Sequence, residues 1–223
     1  MISVRRFSLQ ASLWRQHAPM MEQLVRWINL HETSYGRQVM VQNHPNRNAL
    51  IAETAFRRAA VEAPLFEENL DAEVKASEML ALLPRGQFGD LPLTRSERTE
   101  TTLVQQNIQL YCGNLADPKF FYSVPGCGIV DAAFGDIKDE GHLAEIKAVT
   151  RPFRSTDIRQ LLTYSAMLYA SGRSVDRLSL YNPRRARLFT TTLNEVSFSV
   201  GGRSGSELMQ DLIDSMVGMQ VSV

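Results

Sequence analysis

Cysteine is scarce in this chain, net charge is absent, and no long apolar run occurs. The two cysteines, Cys112 and Cys127, have neither CxxC spacing nor a Cys/His cluster. That argues against structural zinc and leaves two buried free thiols as the expectation. Lys plus Arg and Asp plus Glu both number 24, so the whole-molecule field draws no polyanion and any basic surface must be local. Nothing approaches the roughly 18 consecutive apolar residues of a membrane span. The first 17 residues are broken by Arg15 and several polar residues before an apolar run develops, which does not fit a secretion signal. A soluble cytoplasmic protein without a membrane partner is expected. The glycines of residues 200–207 (VGGRSGSE) lack the GK[ST] ending of a phosphate loop, so that stretch reads as a flexible connector. No segment supplies an ATPase motor.

What is present is enough apolar residue, 44% of 223, to bury a core of one domain or of a core domain with a helical extension. Residues 1–115 read mostly as helix. Met20, Met21, Leu24, Val25 and Ile28 recur at helical spacing over 19–30, and further helices are predicted over 48–63, 65–83 and 96–111. The stretch 82–97, with two prolines and two glycines, breaks the pattern as a loop or subdomain boundary. From Gly113 the period changes. Residues 119–124, 128–134 and 143–149 read as strands, 135–141 as a turn, 156–170 as a helix, and RLSLYN and RLFTTTL as two more strands. A helix over 206–217 closes the chain. Ser155 or Thr156 is the expected N-cap of the 156–170 helix, with Asp157 in its first turn. The fold class expected is therefore α/β, with a helical N-terminal region over 1–115 and a core over 116–223.

LAEIKAV, residues 143–149, carries Glu145 and Lys147 in an otherwise apolar strand. It is joined by a short turn to GIVDAAF, residues 128–134, so the two should pair as an antiparallel hairpin. A turn centred on Lys138 places Asp131 directly opposite Glu145. Opposed residues have Cβ atoms about 5 Å apart, and like charges there are destabilising unless compensated. Lys147 shares the face of Glu145, while Ala144, Ile146 and Ala148 face the other way. One lysine could neutralise one carboxylate. A divalent cation would satisfy both, because hard ions such as Mg²⁺ take carboxylate oxygens, water and phosphate, with the Ile146 carbonyl as an added ligand. The chemistry that uses such a set is phosphodiester hydrolysis, with Lys147 orienting the nucleophile or stabilising the developing charge. On the helix that follows, Gln160 and Tyr164 are i, i+4 neighbours. Ile158, Leu161, Leu162, Ser165, Leu168 and Tyr169 form its core-facing stripe.

Gly128-x-x-Asp131, Glu145-x-Lys147 and Gln160-x-x-x-Tyr164, in that order and in a strand, strand, helix context, resemble the PD-(D/E)XK nuclease superfamily and particularly its RecB-like branch. The resemblance covers residues 119–193. It implies a restriction-endonuclease-like core, a mixed sheet flanked by helices, and a Mg²⁺- or Mn²⁺-dependent deoxyribonuclease. Asp131 and Glu145 would bind the ion, Lys147 would be the catalytic lysine, and Gln160 and Tyr164 would support the site. It also implies a place in prokaryotic defence, restriction or repair. Family members often add an acidic residue or histidine from a helix before the sheet; Glu53, Glu97 and Glu100 are the candidates here. Arg151, Arg154 and Arg159 follow the E-x-K strand and are candidates for DNA contact, with Arg184, Arg185 and Arg187 forming a second basic group. The helical N-terminal region would bind a protein partner, form a homodimer or shape the DNA channel. Two rivals remain: a non-catalytic nucleic-acid-binding or assembly subunit that keeps the fold, and a small-molecule phosphoesterase using the same ion site.

Overall fold

The computed structural model describes residues 1–41, 43–62, 70–82 and 92–221. Its N-terminal half is helical, as the periodicity predicts. Helix α1 is Val4–Ser8, capped by the Ser3 hydroxyl, which accepts the Arg6 N–H; α2 is Ala11–His17 and α3 Met21–His31. A two-residue strand β1, Thr33–Ser34, precedes α4 (Asn48–Ala60), α5 (Leu70–Ala81) and α6 (Arg95–Cys112). Sequence periodicity missed α1 and α2 because five and seven residues are too few turns for an apolar stripe to repeat. Residues 63–69 and 83–91, on which parts of the expected second and third helices and of the 82–97 break fall, lie outside the described residues.

From Lys119 the chain builds a sheet: β2 Lys119–Val124, β3 Ala133–Asp139, β4 His142–Ile146, then α7 Ser155–Ala170, β5 Arg177–Asn182 and β6 Arg187–Thr192. Helix α8, Leu193–Gly201, and α9, Gly205–Val221, complete the chain. RLFTTTL thus ends one residue early, because the Thr192 hydroxyl and the Glu195 carboxylate close a capping box that starts α8. The connector expected at 200–207 shrinks to three residues, begun by Gly202 in the left-handed region (φ +65°). Arg154, not Ser155 or Thr156, is the N-cap of α7. The Asp157 carboxylate accepts the Arg154 N–H, so the acidic residue expected in the first turn makes the cap.

Strand order is β1-β6-β5-β4-β3-β2, with β4 and β5 parallel and the other neighbours antiparallel. The architecture is α/β, a six-stranded mixed sheet flanked by helices. On one face Leu143, Leu178 and Leu180 pack with Ile158, Leu161 and Leu162 of α7 and with Val4, Phe7 and Trp14 of the first two helices. On the other, Ile137, Ala144 and Tyr181 meet Phe56 of α4 and Val104 and Ile108 of α6. The expected boundary near residue 115 is therefore a change from helix to strand within shared cores. Burying side chains of this size is worth about 1.5–3 kcal/mol each, so the clamp from both sides fixes where β4 lies. Within α7, Tyr169 is exposed and Tyr164 is buried, the reverse of their expected places.

The hairpin register differs from the expected one. The seven residues 135–141 are not a turn: β3 runs through Asp139, and the reversal is the two residues Glu140 and Gly141, with Glu140 at φ +48°. Ile137 pairs with Ala144 and Asp139 with His142. Continued by one pair, that register sets Asp136, not Asp131, opposite Glu145. Asp131 lies before β3, its N–H donating to the Ile2 carbonyl beside α1.

Candidate functional site

Strands β3 and β4 part just past the Ile137–Ala144 pair, and the fork between them holds the polar residues. In place of another ladder bond, the Asp136 Oδ2 accepts the Ile146 N–H at 2.7 Å. A strand residue's N–H and C=O point to the same side, so the Ile146 carbonyl also faces the fork. Glu145 is 2% exposed, among the most buried acids of the described residues. Its Oε1 accepts from Lys147 Nζ at 2.5 Å. The second oxygen of Asp136 and that of Glu145 have no hydrogen-bond partner among the described residues.

Lys147 is held from two sides. Its ammonium also donates to Gln160 Oε1 at 3.0 Å, the Gln160 amide donates to the Tyr164 hydroxyl at 3.2 Å, and that hydroxyl donates to the Phe134 carbonyl at 3.3 Å. The i, i+4 spacing on α7 thus builds a chain from the ammonium to the backbone of β3. It fixes the lysine rather than leaving two unrelated flank residues. Gly135 lies between Phe134 and Asp136, and the Tyr122 ring occupies the space where a Cβ would stand. The buried Tyr122 hydroxyl has no partner among the described residues.

Electrostatically the fork is short of positive charge. Burial, followed by the Glu145 charge, pushes the Asp136 carboxyl well above its usual range, with Lys147 and the Ile146 N–H pulling the other way. Burial likewise raises Glu145 against the pull of Lys147. Desolvation acts to lower the Lys147 ammonium, but Glu145, Asp136 and the hydrogen bond to Glu145 outweigh it, so its pKa rises and it stays charged. Burial and the Glu145 charge keep the Tyr164 phenol protonated. Buried Glu145 and half-buried Asp136 thus both act on one ammonium, which pairs directly with Glu145. Among the described residues no three His, Cys, Asp or Glu side chains form a ready-made metal cluster. Two carboxylates with an unpartnered oxygen each, plus one backbone carbonyl, are nevertheless the hard-oxygen donors that a Mg²⁺-type ion accepts when water completes its shell.

Of the three upstream acids, Glu53 comes to this place. It lines a pocket of about 120 Å³ with Asp136, Ile146 and Phe56, its charge adds to the rise at Asp136, and Arg57 pairs with it at 2.8 Å. Glu97 is bound up in the Thr94 capping box and in Arg47. Glu100 is buried against Arg184 and accepts from Asn43. The three candidate DNA-contacting arginines separate in the same way. Arg159 pairs with Glu22 and lies over the Trp14 ring, and Arg151 forks onto both oxygens of Asp157 at 2.7 and 2.9 Å. Arg154 is exposed with no carboxylate partner among the described residues. The second basic group is structural: Arg184 is buried on Glu100, and Arg185 and Arg187 reach Glu32.

Asp136 is the residue that sequence reasoning missed. Its signal was there, in Ile137 as a lone apolar residue between charges at strand alternation and in Glu140-Gly141 as a tight two-residue turn. Cys112 and Cys127 are free and half-buried, less enclosed than expected. No described helix is long and apolar enough to cross a membrane. No family model, no curated protein and no solved structure matches the chain.

Proposed function

We propose that the protein is a metal-dependent nuclease of the PD-(D/E)XK type, with a restriction-endonuclease-like core, that hydrolyses phosphodiester bonds in DNA. The observation that carries this reading is the convergence of Asp136, Glu145, Lys147, Gln160 and Tyr164 at the β3–β4 fork. The motif is retained with one change: Asp136, nine residues before Glu145 of the Glu145-x-Lys147 pair, replaces Asp131. Asp136, Glu145 and the Ile146 carbonyl would hold Mg²⁺ or Mn²⁺, with Glu53 lining the same pocket as Asp136 and Ile146. Bound there, the ion supplies Lewis-acid polarisation of a phosphate and acidification of a water molecule.

The chain's own residues do the rest. Lys147, charged and fixed by Glu145 and Gln160, presents an ammonium that can stabilise negative charge developing on the phosphate. Gln160 and Tyr164 are positioning residues, since they reach the reacting atoms only through Lys147 and the β3 backbone. Glu145 holds the lysine through Oε1, and its other oxygen would be the one to ligate the ion. The test is cleavage of labelled DNA in Mg²⁺, Mn²⁺ or EDTA by the wild type and by Asp136→Asn. Metal-dependent cutting lost in the variant supports the reading. Cutting that persists in EDTA, or in the variant, overturns it.

A further inference from the structure

A second cavity opens beside Lys147, on the side away from Glu53. It has a volume of about 820 Å³, and Lys147, Gln160, Arg5, Arg151, Arg154 and Asp157 are among the residues that line it. That volume is in the upper part of the roughly 300–1,000 Å³ range of small-ligand pockets and can take a nucleotide unit. It forms where α1 lies against α7, so it joins the first residues of the chain to the helix that carries Gln160.

The charges around it are unevenly satisfied. Asp157 is spent on the Arg151 fork and the Arg154 N–H, and Glu22 reaches Arg159. Arg5 and Arg154 are exposed, and neither has a carboxylate partner among the described residues. In a chain with no net charge, two guanidinium groups without a carboxylate partner among the described residues, on a cavity that Lys147 also lines, form a local positive field. Guanidinium forks suit phosphate oxygens in a bidentate manner.

We infer that this cavity is a backbone subsite for the strand being cut, in which Arg5 and Arg154 hold the phosphate next to the scissile one. The inference rests on the nuclease reading and assigns Arg5 a role outside the motif residues. It also leaves Arg151 and Arg159 as supports, with Arg154 alone of the earlier three touching the strand.

The experiment is fluorescence anisotropy with a labelled single-stranded oligonucleotide in EDTA, repeated over a range of salt. It compares the wild type, Arg5→Ala, Arg154→Ala, the double variant and the control Arg95→Ala on α6. Each lost phosphate contact should flatten the slope of log K against log salt by about 0.7, so the double variant should lose about 1.4. Its affinity at low salt should fall about tenfold. Arg5→Lys with Arg154→Lys should restore most of the slope. An unchanged slope in the double variant overturns the inference, as does an equal loss in Arg95→Ala. Inorganic phosphate at matched ionic strength should displace the oligonucleotide no better than chloride does; strong displacement would make this a free-phosphate site instead. The two readings fail separately. Metal-dependent cleavage with a slope that ignores both arginines sinks the subsite alone, whereas arginine-dependent binding without cleavage sinks the nuclease reading and leaves Arg5 and Arg154 as a strand-binding site only.

Discussion

Replacing Asp136 with Asn should stabilise the protein in EDTA and remove its response to Mg²⁺. The amide oxygen can still accept the Ile146 N–H, so the hydrogen bond at the fork survives while a charge is lost. Two carboxylates about 5–8 Å apart repel by about 2–3 kcal/mol at an effective dielectric of about 20. Lys147 offsets part of this, leaving a gain of about 1–2 kcal/mol. For a chain of this size that is a rise in Tm of about 3–6 °C. With Mg²⁺ at about a hundred times its Kd, the wild type gains about 2.7 kcal/mol, or about 5–10 °C, whereas the variant, with a neutral and weaker ligand, gains little. The order of the two melting curves should therefore invert between EDTA and Mg²⁺, as read by differential scanning calorimetry. A variant that melts lower in EDTA would mean that Asp136 is a structural ion-pair member. An undiminished Mg²⁺ shift would mean that the ion binds elsewhere.

Three further outcomes follow from the same fork. Lys147→Met leaves buried Glu145 without its cation beside half-buried Asp136 and should cost about 2–3 kcal/mol in EDTA. That is less than the roughly 3–5 kcal/mol for breaking a buried pair, because Glu145 can take up a proton; urea melts measure it, and a neutral effect would show that the lysine is not engaged. Asp136 and Glu145 have folded-state pKa values raised above their unfolded ones, so the folded protein binds more protons. In EDTA its stability should fall as pH rises from about 4 through those raised values. The Mg²⁺-induced Tm shift should grow over the same window as protons leave, and a shift independent of pH from 5 to 8 contradicts the coupling. Gln160→Leu should lower kcat about 10- to 100-fold with little change in KM, because it loosens Lys147 without touching substrate. A change confined to KM would instead place Gln160 on the substrate.

The sequence made most of this fold legible through period. Residues 119–124 and the strands at 177 and 187 coincide with β2, β5 and β6, and the helix after Glu145-x-Lys147 starts within one residue of its expected place. Three short helices escaped because a five- to nine-residue element shows too little of a stripe to separate from chance. The register error has a different origin. Glycines at 135 and 141 bracket a charged stretch and look like the ends of a loop, yet Gly135 is there because the Tyr122 ring fills its side-chain space. A glycine needed for packing was read as one needed for turning, and the acid facing Glu145 moved from Asp136 to Asp131. Glu145, Lys147, Gln160 and Tyr164 do not depend on that register and meet as their spacing suggested. The arginines could not be sorted from sequence, since whether a guanidinium is free depends on carboxylates such as Glu22 and Asp157 that tertiary packing brings to it.

The central claim is that Asp136 and Glu145 hold the ion at which a DNA strand is cut. Its most direct test is one cleavage assay on labelled linear, circular and single-stranded DNA, with Mg²⁺ or EDTA, comparing the wild type with Asp136→Asn and Asp131→Asn. The account predicts cutting only with metal, lost by at least a hundredfold in Asp136→Asn and retained in Asp131→Asn. Cutting by Asp136→Asn, with loss in Asp131→Asn, would contradict it.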